Sequence, residues 1–119
     1  MAEVKKYDLE ERTEIFSLRV RDLCKQLKPD IINREYISQL IRSAGSVAAN
    51  YIEANDKLGE KDLRFRIRIS KKEAKESILW LKHILTYGST ELENERLLLL
   101  KEADELMKIL AAILRKLGD

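Results

Sequence analysis

Apolar residues recur along most of the chain at alternating intervals of three and four, the period of a helix with one buried face. Leu9, Phe16, Val20, Leu23 and Leu27 share one face of a first helix over about residues 8–28. Asp8 and Glu11 have the spacing of a capping pair at its start, and Pro29-Asp30 ends it. A second helix over about 33–55, with Asn33 as its N-cap, carries Ile37, Leu40, Ile41, Ala44, Val47, Ala48, Tyr51 and Ile52. Lys57-Leu58-Gly59 is the next break. A third helix over about 60–87 aligns Leu63, Ile67, Ser70, Ala74, Ser77, Leu81 and Ile84, and Gly88 suits the position just past its end. A fourth over about 91–117 aligns Leu99, Ala103, Leu106, Leu110, Ile113 and Leu117. Short connections between four helices of similar length predict an all-α, antiparallel up-down-up-down four-helix bundle. With no internal repeat and no low-complexity linker, residues 1–119 read as one domain.

The second helix has an unusual middle. In RSAGSVAANYIEA, residues 42–54, seven of thirteen residues are Gly, Ala or Ser. A mid-helix glycine costs roughly 0.5–1 kcal/mol relative to alanine. Gly45 and Ala49, four apart, have the small-x-x-x-small spacing that lets another helix backbone come close. Arg42, Ser46, Asn50 and Glu53 fall on the outward side and suit hydrogen bonds across a subunit contact, or simply water.

Not every apolar residue falls inward. Ile15, Leu18, Leu97 and Leu98 lie off the inner faces, and Phe65, Ile69 and Trp80 form a second strip on the third helix. A strip that includes Trp and Phe points to an interface; a rotated seam that makes these residues core is the plainer alternative. The chain is therefore expected to be a homo-oligomer, with Arg42, Gly45, Ser46, Ala49, Asn50, Glu53, Phe65, Ile69, Glu73 and Trp80 at the contact.

Composition adds limits. Hydrophobic residues make up 45% and charged residues 37%, with four Gly and one Pro, which favours helices. The net charge of +2 predicts no partner by itself, but its distribution does. Residues 57–75 hold eight basic and three acidic side chains, whereas 91–108 hold six acidic and three basic. Arg64, Arg68, Lys71, Lys75 and Lys82 cluster within about 60° on the helical wheel, with Lys72 beside them. Such a stripe can hold phosphates, or it can face solvent or pair with the acidic fourth helix. Arg66 points to the Trp80 side, toward Glu73.

Chemistry-bearing constellations are thin. Cys24 is the one cysteine, which excludes an intrachain disulfide, suits a reducing cytoplasm and reads as packed rather than nucleophilic. His83 is the one histidine, with Trp80 three residues before it, so there is no Glu-x-x-His pair for a di-iron site. Zinc spacing and Gly-rich phosphate loops are absent. No cofactor, no metal and no catalytic activity are expected. The N-terminus lacks a secretory signal, and the longest apolar runs, 97–100 and 109–114, fall far short of the ~20 residues that span a bilayer. A cytoplasmic location without membrane contact follows as the expectation.

YDLEERT, LIRSAGSVAANYIEA, DLRFRIRISKKEAKESILWL and LLKEADELMKILAAILRKL, in this order, resemble the 23S rRNA intervening-sequence protein family, also called four helix bundle proteins. The likeness runs from about Tyr7 to Leu117. Its recurrent positions fall here on Arg42, Ser43, Ser46, Asn50, Tyr51, Glu53, Lys72, Glu73, Ala74, Glu76, Trp80 and Leu81. Ala48 stands where the family often has Gly, and Leu63 where it often has Phe. The resemblance implies an antiparallel bundle that assembles as a pentameric ring, with no established catalytic residues. It also implies a link to RNA, since some members are encoded within rRNA intervening sequences and a related group binds nucleic acid and a reverse transcriptase.

Two functions follow as expectations. The first is a non-enzymatic oligomer binding RNA or other nucleic acid through Arg64, Arg68, Lys71, Lys72, Lys75 and Lys82. The second is a scaffold or adaptor for a separately encoded enzyme.

Overall fold

The computed structural model describes residues 6–56 and 59–118. Four helices follow one another: α1 (Lys6–Gln26), α2 (Ile31–Ala54), α3 (Glu60–His83) and α4 (Thr90–Lys116). Each packs against its sequence neighbours, and α1 closes the bundle against α4. The partners show the registers. Along α2 and α3, Ser43 meets Ser77, Val47 meets Ser70 and Asn50 meets Arg66. Along α1 and α4, Arg12 meets Glu102 and Arg19 meets Glu95. Position numbers rise on one helix as they fall on the other, so these pairs are antiparallel. The bundle measures 45 × 33 × 19 Å.

The core follows the sequence periodicity. Leu9, Phe16, Val20, Leu23, Leu40, Val47, Ile67, Leu81, Leu99, Leu106 and Leu110 are all buried. Fully burying each such side chain contributes about 1.5–3 kcal/mol, which offsets the entropy of ordering four helices. Cys24 is buried at its edge, and burial pushes its thiol up to about 12. It is thus a packed thiol.

Several boundaries differ from expectation. α1 runs from Lys6, so Asp8 is inside the helix, and the expected Asp8–Glu11 cap rests on a side chain outside the described residues. Lys57 and Leu58 also lie outside them. The N-cap of α2 is Asp30, not Asn33: the Asp30 carboxylate accepts from the Asn33 backbone N–H at 2.8 Å. Asn33 instead turns inward and is fully buried. Its Nδ2 donates to the carbonyls of Lys28 and Leu85, and its Oδ1 accepts from the Leu85 N–H. One amide therefore ties the α1–α2 connection to the α3–α4 connection. This bracket draws the chain out of helical conformation, so α3 ends at His83, before the expected 87. Ile84 is extended and buried. Gly88, with φ of 81°, serves the loop rather than the helix end, and Ser89 caps α4 through the Leu92 N–H.

The seams shift slightly too. Ile41 and Ile52 of α2 are exposed rather than core, and Leu114 takes the buried place expected of Ile113. The physical reason is the limited width of the buried stripe: Ile41 and Ile52 lie beyond its margin, where no neighbouring helix covers them.

Candidate nucleic-acid interface

The basic residues of α3 occupy the side of the helix turned from α2 toward α4. Their availability depends on where the acidic side chains of α4 point. Glu102 takes a two-pronged contact from Arg12 at 2.7 and 2.8 Å, and Glu105 takes a third hydrogen bond from the same guanidinium. Arg19 grips Glu95 at 2.9 and 3.0 Å. These bonds to carboxylates raise the pKa of both arginines. Glu93 is held by Arg96, whose hydrogen bonds keep that carboxyl below its ordinary range. Asp104 pairs with Lys108 at 2.8 Å. Glu93, Glu95, Glu102, Asp104 and Glu105 thus pair with cations of α1 and of α4 itself.

The stripe is not uniform. Arg64 donates from Nε to the Leu117 carbonyl at 3.1 Å and from Nη2 to Glu60 at 2.8 Å. It therefore satisfies an orphan carbonyl at the end of α4, a partly structural task. Lys72 lies 3.8 Å from Glu76. Arg68 is exposed and also has an interaction within the chain. Lys71, Lys75 and Lys82 form no ion pair among the described residues, and Lys75 and Lys82 are exposed. Lys72, Lys75 and Lys82 border a shallow groove of about 440 Å³ whose apolar lining comes from Ile78 and Leu79, with Glu76 at its edge. Neither charge counting nor the a/d rhythm singles out Ile78 and Leu79; the available signal is that Leu79 sits among lysines on the helical wheel.

The expected contact residues gather on adjacent outer edges of α2 and α3. Arg42, Ala49 and Glu53 are exposed there, and Ser46 is half-buried. Asn50 is buried: its Nδ2 donates to the Ser46 carbonyl and hydroxyl, and its Oδ1 accepts from Arg66. Arg66 thus reaches Asn50 rather than the expected Glu73. Across the edge, Phe65 is 52% exposed, while Ile69 and Glu73 are half-buried. Glu73 has its pKa raised, first by burial and then by Glu76, with Lys72 and Arg42 opposing. Trp80 is half-buried, stacked on Tyr36 and edge-on to His83. Three buried polar atoms here, Asp62 Oδ2, Arg66 Nε and Trp80 Nε1, have no hydrogen-bond partner among the described residues. Gly45 lies apart, against α1. A Cβ added to it would stand 3.8 Å from Ser17 Oγ, an ordinary contact, so packing within this chain does not require glycine there.

Among the described residues, no three His, Cys, Asp or Glu side chains come together as a metal site. Nor, among the described residues, is any helix long and apolar enough to cross a membrane.

Comparison with known proteins agrees with this architecture. A crystal structure of a protein of unknown function from the S23 ribosomal protein family of Bacteroides thetaiotaomicron is 22% identical. It covers 94% of this chain and 99% of its own, with a TM-score of 0.70. At that identity the likeness speaks for the fold. No curated protein matches the chain. The 23S rRNA-intervening sequence protein family matches residues 5–112, nearly the whole bundle. The chain belongs to that family.

Proposed function

We propose that this chain is a single-domain, non-enzymatic bundle that binds nucleic acid through the basic stripe of α3. The observation that carries this reading is the direction of the α4 carboxylates: they engage Arg12, Arg19, Arg96 and Lys108, and among the described residues Lys71, Lys75 and Lys82 have no carboxylate partner. Ammonium groups on a straight helix, without a base-reading motif, attract phosphates and give little sequence specificity. The family's description in terms of 23S rRNA intervening sequences makes rRNA the first probe. Copies of the chain would repeat the stripe about an axis, as a pentamer on the family resemblance, and multiply weak phosphate contacts.

The test is fluorescence anisotropy of a labelled 23S rRNA hairpin at low and near-physiological salt. Binding that falls steeply with salt is expected. The charge reversals Lys71→Glu, Lys75→Glu and Lys82→Glu together are expected to abolish it while helix content and oligomeric state stay unchanged. Normal binding by that triple variant would exclude the stripe.

A second reading, a scaffold for another protein, is favoured by a separate observation. The partnerless Trp80 Nε1, Arg66 Nε and Asp62 Oδ2 beside exposed Phe65 suit a surface that another chain covers. We assign that edge to contact between copies. If Phe65→Glu leaves the oligomer intact but releases a co-purified partner, the scaffold reading gains the edge.

A further inference from the structure

The groove bordered by Lys72, Lys75 and Lys82 has a property that phosphate binding alone does not use. Its lining is mainly apolar, from Ile78 and from Leu79, which is 44% exposed. Its volume of about 440 Å³ falls within the roughly 300–1,000 Å³ in which small molecules are held. Three ammonium groups and the Glu76 carboxylate leave the groove with a net positive charge, and Glu76 is already paired with Lys72. Lys75 and Lys82 stand two helical turns apart on one side, about 10 Å along the axis, with Leu79 between them in sequence. The groove therefore combines an apolar floor with two cations along its border that form no ion pair among the described residues.

We infer that this groove takes an unpaired nucleotide, so that the stripe binds single strands in preference to duplex. This rests on the nucleic-acid reading of α3 proposed above. A duplex offers phosphates and sugars on its outside and keeps its base faces stacked within. Against a convex helix it can touch the ammonium groups, but it cannot lay a base on Leu79. An unpaired strand can place a base on Leu79 and Ile78 while its neighbouring phosphates meet Lys75 and Lys82. The charge complementarity commits the groove to a polyanion, and the apolar floor favours the polyanion whose base faces are accessible, because covering Leu79 and Ile78 removes apolar surface from water.

The experiment compares a labelled 12-nucleotide RNA of mixed, non-self-complementary sequence with its own duplex, at several salt concentrations, using the full chain. The single strand is expected to bind about tenfold tighter than the duplex, the scale of burying part of a base on an apolar side chain. Leu79→Gln changes an exposed position to a good helix former. It should bring single strand and duplex to within about twofold of each other, with the salt slope unchanged. Lys75→Gln with Lys82→Gln should weaken both and lower the single-strand salt slope by about 1.4, since each phosphate contact contributes about 0.7. Equal or tighter duplex binding overturns this inference and leaves the phosphate-binding reading standing, as does an unchanged preference in Leu79→Gln. Absence of binding to either probe at low salt overturns both.

Discussion

The seam between α2 and α3 and the seam between α1 and α4 are built on opposite principles. Midway along α2 and α3 the facing side chains are small, between the Arg66–Asn50 contact toward one end and the Trp80–Tyr36 stack toward the other. The Ser77 hydroxyl meets the Ser43 hydroxyl at 3.0 Å, the Ser70 hydroxyl donates to the Val47 carbonyl at 2.8 Å, and Ala44 and Ala74 are fully buried. A side-chain hydroxyl on one helix can reach a main-chain carbonyl on the next only when the backbones lie close. Between α1 and α4 long side chains meet instead: Arg12 and Arg19 span to Glu102, Glu105 and Glu95. The first seam fixes position by steric fit and buried hydroxyls. The second sets charge on the bundle surface. Glu95, Glu102 and Glu105 are thus engaged on the α1 side of α4, while among the described residues Lys75 and Lys82 of α3 form no ion pair.

The largest way to break this contrast is to widen the tight seam. Ala74→Leu inserts a side chain where no space exists, and is expected to cost about 3 kcal/mol, read as a lowered midpoint in urea unfolding. The same substitution on an exposed helix position would be nearly neutral. Removing the polar seam should cost less. Arg12→Ala with Arg19→Ala is expected to destabilise by about 1–2 kcal/mol at low salt, since partly exposed pairs contribute about 0.2–1 kcal/mol each. The loss should shrink in high salt because solvent ions screen these pairs. The freed α4 carboxylates should also weaken RNA binding by the intact α3 stripe, which anisotropy would detect. An unchanged affinity would separate the two faces.

Gly45→Ala sharpens the comparison in a different way. Within the chain the new methyl meets Ser17 at an ordinary distance, so helix propensity should raise stability by about 0.5–1 kcal/mol. If a neighbouring copy packs on Gly45, light scattering will show a weaker oligomer despite that gain. The smallest effect belongs to Glu73→Gln. Burial, followed by Glu76, raises the Glu73 pKa, so the folded state holds this proton more firmly than the unfolded chain. Glu73 therefore favours folding most below the ordinary glutamate range, and that contribution is lost as pH rises through its raised value. The glutamine variant should be slightly more stable than the parent near neutral pH and lose that advantage in acid, as measured by melting temperature across pH.

Much of the fold was legible because the buried stripes of four antiparallel helices repeat locally. Phe16, Val20, Ile67, Ala74, Leu99 and Leu106 could be placed without knowing their neighbours. Helix ends were less legible. Asn33 has the chemistry of a cap but is taken up by Leu85, 52 residues away, and no local rule anticipates that partner. For the same reason the end of α3 moved back from Gly88. The basic stripe could be read from residue spacing, but not which of its members is free. Arg64 is drawn to the Leu117 carbonyl by the return of α4, while Lys75 and Lys82 are left open.

The sequence alone determined helix number, the inward residues and the presence of a cationic face, because periodicity and charge type act over a few turns. Tertiary structure decided which charges cancel. Attraction between exposed charges is largely screened beyond about 8–10 Å, so whether Glu95 and Glu102 neutralise α3 or hold α1 depends on which helix lies beside them.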